Sequence, residues 1–411
     1  MPRLDPKAHD WMTAPGTSAV IDALMRDGGA ARFVGGAVRN ALLGLPVSDV
    51  DIATPLMPHD VVRRLNAAGI AAHPTGIEHG TITAVADGKP FEVTTLRRDV
   101  ATDGRRATVS FAEDWADDAR RRDFTINALY AAPDGEIFDY VGGLADLEAG
   151  HVRFIGDAAT RIREDYLRIL RLFRFHAWYG KGELDAAALA AAAAERAGMR
   201  ILSAERVQKE LFRLLEAANP APMLRTMAAT GVLAEVLRCA VDSARLEQIV
   251  LIDSASFFAP DPVLRLAALV ARDAAERVAD RLKLSNADRE RLTDLAHAQE
   301  RIAPDLSVRA VRKLLYRLGV QRFRDRVRLA WADDPNTSNT AQWRALLALA
   351  DAWQRPHFPL TGRDVMAAGV PEGPLVGRIL GEVEAWWIDS DFPDDLAFTH
   401  ERLKAAVRAA V

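Results

Sequence analysis

Short apolar runs bounded by turn formers dominate the first third of the chain and predict strands at Arg32 to Val34, Asp49 to Thr54, Thr81 to Ala86 and Phe91 to Leu96. Between them, Ser18 is positioned to cap a helix through Arg26 that stops at Gly28-Gly29. A second helix is expected from Gly36 to Leu43, and Pro58 opens a third that Gly69 ends. Asp87-Gly88 reads as a hairpin turn, as does Pro133-Asp134-Gly135. Arg97 to Trp115 is polar and irregular, with Thr102-Asp103-Gly104-Arg105-Arg106 at its centre, and is expected to be a long mobile loop. Arg121 to Ala128 is expected to be helical, and Gly142-Gly143 suits a hinge. Beyond Gly156 the apolar period becomes helical throughout: Arg161 to Tyr179, Leu184 to Ala197, Ser203 to Ala217 and further segments, punctuated by prolines, with a boundary at Trp331 to Thr340. The pattern is a small mixed sheet with helices followed by an all-helical body.

A length of 411 residues fits two to four domains, and the apolar and charged fractions are those of a globular protein. Cys239 is the only cysteine, which excludes an internal disulfide and suits a reducing cytoplasm. No secretory pattern opens the chain, and even the alanine-rich run Ala186 to Ala194 is too short to span a bilayer, so no membrane role is expected. The net charge of −4 argues against a uniformly basic nucleic-acid binder. One segment departs from it. Arg301 to Arg328 is net +7, with Tyr316 and Phe323 interleaved, and Arg309, Arg312, Lys313, Arg317 and Arg322 are its candidate RNA contacts; a solvated helix face explains the run equally well.

The densest chemistry lies at Gly35-Gly36-Ala37-Val38-Arg39-Asn40 and Asp49-Val50-Asp51. Two glycines after a buried strand let the backbone turn and bring N–H groups against phosphate oxygens, with Arg39 adding charge. Carboxylates two apart on a strand share a face and can present Mg²⁺, which takes oxygen ligands and shares them with substrate phosphates. Glu92, on the outgoing strand of the Asp87-Gly88 hairpin, is the candidate third acid. The pairs His59-Asp60 and His9-Asp10 have no second histidine cluster and do not support a metal phosphohydrolase.

Farther along, Asp165 and Arg168 stand one helical turn apart and can touch, with Arg171 and Arg174 continuing the stripe. A carboxylate that accepts beside a guanidinium that donates can read the pairing edge of cytosine or adenine, and uracil and guanine present the opposite order. Arg122 offers a phosphate contact, and Asp123 and Asn127 a sugar or orienting contact.

These residues together resemble the class II tRNA nucleotidyltransferases, the CCA-adding enzymes and bacterial poly(A) polymerases of the DNA polymerase beta-like superfamily. Gly-Gly-x-Val-Arg with Asp49-x-Asp51 is similar to the family's metal and triphosphate motif, Arg121-Arg122-Asp123 through Asn127 to its ribose-selecting motif, and Asp139 through Asp146-Leu147 to its hinge. Glu164-Asp165-x-x-Arg168 is similar to its nucleotide-selecting motif, and Ser203-x-Glu205-Arg206 with Glu210 to its fifth. Leu360 to Asp364 and Gly373-Pro374-x-x-Gly377 are similar to its tail. One position departs: the family usually has aspartate where Asn40 stands.

The resemblance implies an α+β head of the nucleotidyltransferase type with a mixed sheet (residues 1–140), then an all-α neck carrying the nucleotide-selecting helices (141–220), an RNA-binding body (221–330) and a tail (331–411). It implies that Asp49 and Asp51 hold Mg²⁺, that Gly36, Arg39 and Arg122 contact the nucleotide, and that Asp165, Arg168, Arg171 and Arg174 form its binding helix. The expected activity is template-independent addition of CCA to tRNA 3′ ends from CTP and ATP. The Gly76 to Thr83 stretch and the intact Arg97 to Trp115 region favour full CCA addition. Poly(A) addition, partial A-only or CC-only addition and a catalytically silent RNA-binding protein are the alternatives, separated by product length or by lack of incorporation; the oligomeric state stays open.

Overall fold

The structure is a computed structural model that describes residues 3–77, 80–103 and 106–410. Glu78-His79 of the Gly76 to Thr83 stretch and Gly104-Arg105 of the expected loop lie outside those residues. The chain divides into two units: Met1–Arg238 with Arg281–Lys283, and Cys239–Asp280 with Leu284–Val411.

Strands of the first unit are β1 (Arg32–Val34), β2 (Asp51–Thr54), β3 (Ala71–Gly76), β4 (Thr81–Ala86), β5 (Lys89–Thr95), β6 (Arg97–Asp103), β7 (Arg106–Phe111), β8 (Leu129–Ala131) and β9 (Ile137–Asp139). Its helices are α1 (Asp10–Thr13), α2 (Pro15–Met25), α3 (Gly36–Leu42), α4 (Pro58–Ala67), α5 (Trp115–Arg120), α6 (Gly143–Ala149), α7 (Ala158–Glu164), α8 (Leu167–Tyr179), α9 (Ala186–Glu195), α10 (Ala204–Leu215), α11 (Ala221–Ala229) and α12 (Val232–Leu237). Seven strands form one mixed sheet in the order β3-β4-β5-β2-β1-β8-β9, with β2 parallel to β5 and the other neighbours antiparallel. The central strands are buried on both faces, as their unbroken apolar character requires. Phe33 meets Trp11 edge-on at 4.9 Å, whereas Val34 and Ala53 join Leu96, Ala119 and Tyr130 in a cluster on the opposite face. The second unit is helical, with cores around Trp343 and around Val383 and Leu403. Thr361 and Asp364 of the tail motif form a capping box there, the Thr361 N–H donating to Asp364 over 2.7 Å.

Several boundaries differ from the expectations, each for a local reason. α2 starts at Pro15, where a missing N–H costs nothing, and Ser18 lies inside it. β2 begins at Asp51 because Val34, the last residue of β1, pairs with Asp51 and leaves Asp49 no partner. The expected mobile loop is an antiparallel hairpin of β6 on β7 followed by α5. Its Asp103-Gly104 dipeptide is a hairpin signal, and strand pairing satisfies the backbone of a polar ribbon as well as water does. β3, which ends one side of the sheet, was not expected; its Pro74 is compatible with an edge strand.

Arg121 to Ala128 is not a helix. α5 ends at Arg120, Phe124 bridges Phe154, and only Thr125–Asn127 makes a 3₁₀ turn. The expected helix from Arg161 to Tyr179 breaks at Asp165, whose backbone is extended and whose carboxylate accepts the Leu167 N–H at 3.1 Å to restart it as α8. The Gly142-Gly143 corner is pinned: the Asp139 carboxylate accepts the N–H groups of Val141, Gly142, Gly143 and Leu144 at 2.9 to 3.1 Å. Gly142 takes the left-handed conformation (φ 82°), and a Cβ on Gly143 would lie 2.3 Å from Thr125 O.

Candidate active site

The turn from β1 into α3 sets the site. Gly35 has φ 70° and ψ −118°, a conformation essentially reserved for glycine, and its N–H donates to Leu129 O at 3.0 Å. Beside it the parallel pairing of β2 and β5 brings Asp51 level with Glu92. Residues opposite one another in a ladder share a face, so these two acids project together, and Asp49 lies on the approach to β2 along the same cleft. Burial, then the neighbouring Glu92 charge, pushes the Asp51 carboxyl up to about 6. Among the described residues no three His, Cys, Asp or Glu side chains converge tightly enough to form a closed metal cage.

Arg122 faces this acidic end and is held by groups that the sequence reading missed. Its guanidinium donates to Asp118 at 3.0 Å and to the Tyr130 hydroxyl at 3.1 Å, and Tyr130 in turn donates to Asp118 at 2.7 Å. Burial by itself raises Asp118, but Arg122, Arg121 and the Tyr130 hydroxyl outweigh it and hold the carboxyl at about 2. The folded state therefore keeps this proton off until about pH 2, and the unfolded chain takes it up near 4. The stabilisation is complete above about pH 4 and fades as pH falls through about 2. Asp118→Asn is expected to lower stability at neutral pH by roughly 3 kcal/mol, since it leaves a buried guanidinium short of its anion. The wild-type and variant denaturation curves should converge as pH falls towards 2; a constant gap across that range would contradict the assignment.

A second chain of contacts fixes the α8 arginines. Arg171 donates to Asp123 at 2.7 Å and lies 3.6 Å from Glu210, which Arg174 also meets at 3.0 Å. Asp123 further accepts the Asn127 amide at 3.0 Å and the Phe124 N–H at 2.8 Å. Burial opposes its ionisation, yet Arg171 and these donors keep Asp123 well below the ordinary carboxylate range. Its oxygens are thus engaged in orienting Arg171 and Asn127. Arg39 is buried in the cleft floor, donating to Asn127 at 2.5 Å and to the Tyr179 hydroxyl at 2.8 Å while lying 4.0 Å over the Tyr179 ring. Burial lowers its proton affinity. Asn40 now has an account: its carbonyl accepts Arg39 at 2.9 Å, and its amide donates to Pro46 O at 3.0 Å in the loop leading to Asp49. An aspartate could accept from Arg39 but could not donate to Pro46.

Asp165 and Arg168 both line the cleft but do not pair with each other. Asp165 accepts Arg206 at 2.7 Å, and Arg168 donates to Arg161 O at 2.6 Å and bonds Glu164. The break at Asp165 turns its carboxylate away from the i,i+3 geometry of a continuous helix. Arg161 ties this break to the Arg122 segment, donating to Arg122 O at 2.7 Å.

One cleft of about 980 Å³ collects Gly35, Gly36, Arg39, Asp49, Asp51, Glu92, Arg122, Asp123, Asn127, Asp165, Arg168, Arg171 and Arg174. Arg206, Lys209, Arg213, Trp178 and Tyr179 line it too and were not among the expected site residues. The five basic candidates of the second unit are not part of this cleft. Arg312 pairs with Asp391 at 2.9 Å, Lys313 with Asp389, and Arg322 with Glu290, so most of the apparent +7 is neutralised by acids remote in sequence. Arg324, Arg326 and Arg328 are likewise ion-paired, and Arg309 and Arg317 stay exposed.

A glycine turn beside paired carboxylates, facing a wall of guanidiniums across a cleft, is what transfer of a nucleotidyl group demands; fold and site define a nucleotidyltransferase. Comparison with known proteins narrows the class. The Poly A polymerase head domain family matches residues 31–153, and the family described as the probable RNA and SrmB-binding site of polymerase A matches residues 183–241. The chain is 33% identical over 401 residues to CCA tRNA nucleotidyltransferase 1, mitochondrial, of Mus musculus, covering 92% of this chain and 87% of that protein. It is 31% identical over 385 residues to the CCA-adding enzyme of Levilactobacillus brevis, with 92% and 94% covered. The Bacillus stearothermophilus CCA-adding enzyme, solved in complex with CTP, superposes with a TM-score of 0.73 at 26% identity, over 96% of this chain and 98% of that one. The chain belongs to the CCA-adding, class II tRNA nucleotidyltransferase family.

Proposed function

We propose that the protein adds CCA to the 3′ ends of tRNA from CTP and ATP, releasing pyrophosphate and using no nucleic-acid template. The observation that carries this reading is the convergence of Asp165 and Arg168 with Asp51, Glu92 and Arg122 on one cleft, which puts base choice and phosphate chemistry within one site. The relatives' activities, and the CTP bound by the Bacillus stearothermophilus enzyme, support it.

Mg²⁺ fits the residues present: Asp51 is held near pKa 6 by burial and Glu92, an excess of negative charge that a divalent cation relieves. Asp49 and Asp51 would hold it beside Glu92, sharing it with substrate phosphates, and when bound it would supply activation of the attacking hydroxyl and stabilisation of the leaving pyrophosphate. The protein's own groups do the rest. Gly35 makes the turn and the Gly36 N–H, at the start of α3, is the one offered to the phosphates, while Arg122, fixed by Asp118, meets their charge. Arg171, set by Asp123 and Glu210, orients the nucleotide, while Asp165 and Arg168 accept from and donate to a cytosine or adenine edge. Uracil or guanine would present an acceptor to the Asp165 carboxylate and a donor to the Arg168 guanidinium, and that mismatch is the basis for rejection. Of the five basic candidates in the second unit, Arg309 and Arg317 are the ones available for RNA phosphates. No helix of the described residues is long and apolar enough to cross a membrane. A cytoplasmic location suits a chain with Cys239 as its only cysteine.

Offering each of the four nucleoside triphosphates singly to a tRNA that lacks CCA tests the reading. CTP alone should be incorporated; equal use of UTP or GTP, or incorporation of none of the four, would overturn it.

A further inference from the structure

The geometry points to a second binding subsite on the Trp178, Lys209 and Arg213 wall of the cleft, for the single-stranded 3′ end of the RNA being extended. The inference rests on the CCA-adding reading and adds residues to it.

Trp178, near the end of α8, is 43% exposed and lines the cleft. Its indole N–H donates to Arg213 O at 2.7 Å, so the polar edge is satisfied and the ring is fixed against α10. Other aromatic faces here are already covered by cations. Phe175 carries the guanidiniums of Arg174 at 4.2 Å, Arg171 at 5.0 Å and Arg39 at 5.3 Å, and Tyr179 carries Arg39 at 4.0 Å. Among the described residues no cation lies over Trp178, which leaves a rigid indole face towards the cleft.

The charge beside it is also uncommitted. Lys209 and Arg213 follow Arg206 along one stripe of α10. Arg206 is taken by Asp165 at 2.7 Å, but Lys209 is exposed with no ion pair among the described residues, and Arg213 makes only an exposed 3.4 Å contact with Glu216. A fixed aromatic face next to free cations is how proteins hold single-stranded nucleic acid: bases stack while the backbone meets positive charge.

The nucleotide to be added is not the occupant. Its base is read at Asp165 and Arg168, and Trp178 lies ten residues past Arg168, about 15 Å along the helix. The cleft is large for one small ligand, at the upper end of the roughly 300–1,000 Å³ range. A template-independent transfer has one other substrate, the RNA end.

The test uses the full chain with a tRNA lacking CCA. Trp178→Ala is expected to raise the KM for tRNA by roughly five- to a hundredfold, the loss that removing one base–aromatic stack produces, while the KM for CTP stays as in the wild type. Trp178→Phe, which keeps a stacking face, should restore most tRNA affinity and guards against a folding defect in the alanine variant. The double variant Lys209→Ala, Arg213→Ala should bind tRNA more weakly and with a shallower salt dependence. A KM change for CTP rather than tRNA would overturn the proposal, as would unchanged tRNA affinity. tRNA binding without nucleotide, by anisotropy, separates the two readings: binding that depends on Trp178 in a protein that incorporates nothing keeps the subsite and removes the CCA-adding assignment.

Discussion

Asp51→Asn is expected to lower nucleotide incorporation by at least roughly a thousandfold, because a divalent cation supplies several kcal/mol of transition-state stabilisation and each 1.36 kcal/mol is tenfold in rate. The amide keeps the shape of the carboxylate and removes only the charge that would hold the cation. Stability should not fall with activity. Asp51 carries its charge against burial and against Glu92, so neutralising it relieves a cost, and the variant should melt at or above the wild-type temperature. Single-turnover incorporation and thermal unfolding, measured on the same preparation, check both halves. Near-normal activity would remove Asp51 from the metal site, and inactivity with a collapsed melting temperature would show that the residue is needed for the fold.

Base choice should fail separately. Asp165→Ala is expected to lower the preference for CTP over UTP, as a ratio of kcat/KM, by about ten- to a hundredfold, the worth of one good base-edge contact. The variant also loses the cap on the Leu167 N–H and frees Arg206, so incorporation of CTP itself should slow. Arg206→Ala should reproduce part of the loss of selectivity, because Arg206 holds the carboxylate in place. An unchanged CTP to UTP ratio in Asp165→Ala would refute base reading by this residue.

How much of this could be read from the chain follows from the distance over which each contact acts. The glycine turn, Asp51 and Glu92 were legible because strand periodicity sets which face a residue takes, and the Asp87-Gly88 turn sets the outgoing strand. Asp118 and Tyr130 were not, because no element was expected between the 97–115 loop and Arg121, where α5 carries Asp118 to Arg122, and Tyr130 reaches the pair from β8. The break at Asp165 was hidden for another reason: the helical period continues across it, and only an extended residue with its own cap interrupts the backbone. The basic run from Arg301 to Arg328 misled because its neutralising partners, Glu290, Asp389 and Asp391 among them, lie outside any local window. Asn40 stood out as a departure, and its function as a clasp between Arg39 and Pro46 became visible only with the fold.

The most direct measurement sizes the products formed on tRNAs ending just before CCA, after the first C and after the second C, with CTP and ATP supplied separately and together. The expected result with both nucleotides is growth by three, two and one residues to a common end, with ATP alone extending only the third tRNA. Open-ended tails, termination after C, or no extension with Mg²⁺ present would contradict CCA addition.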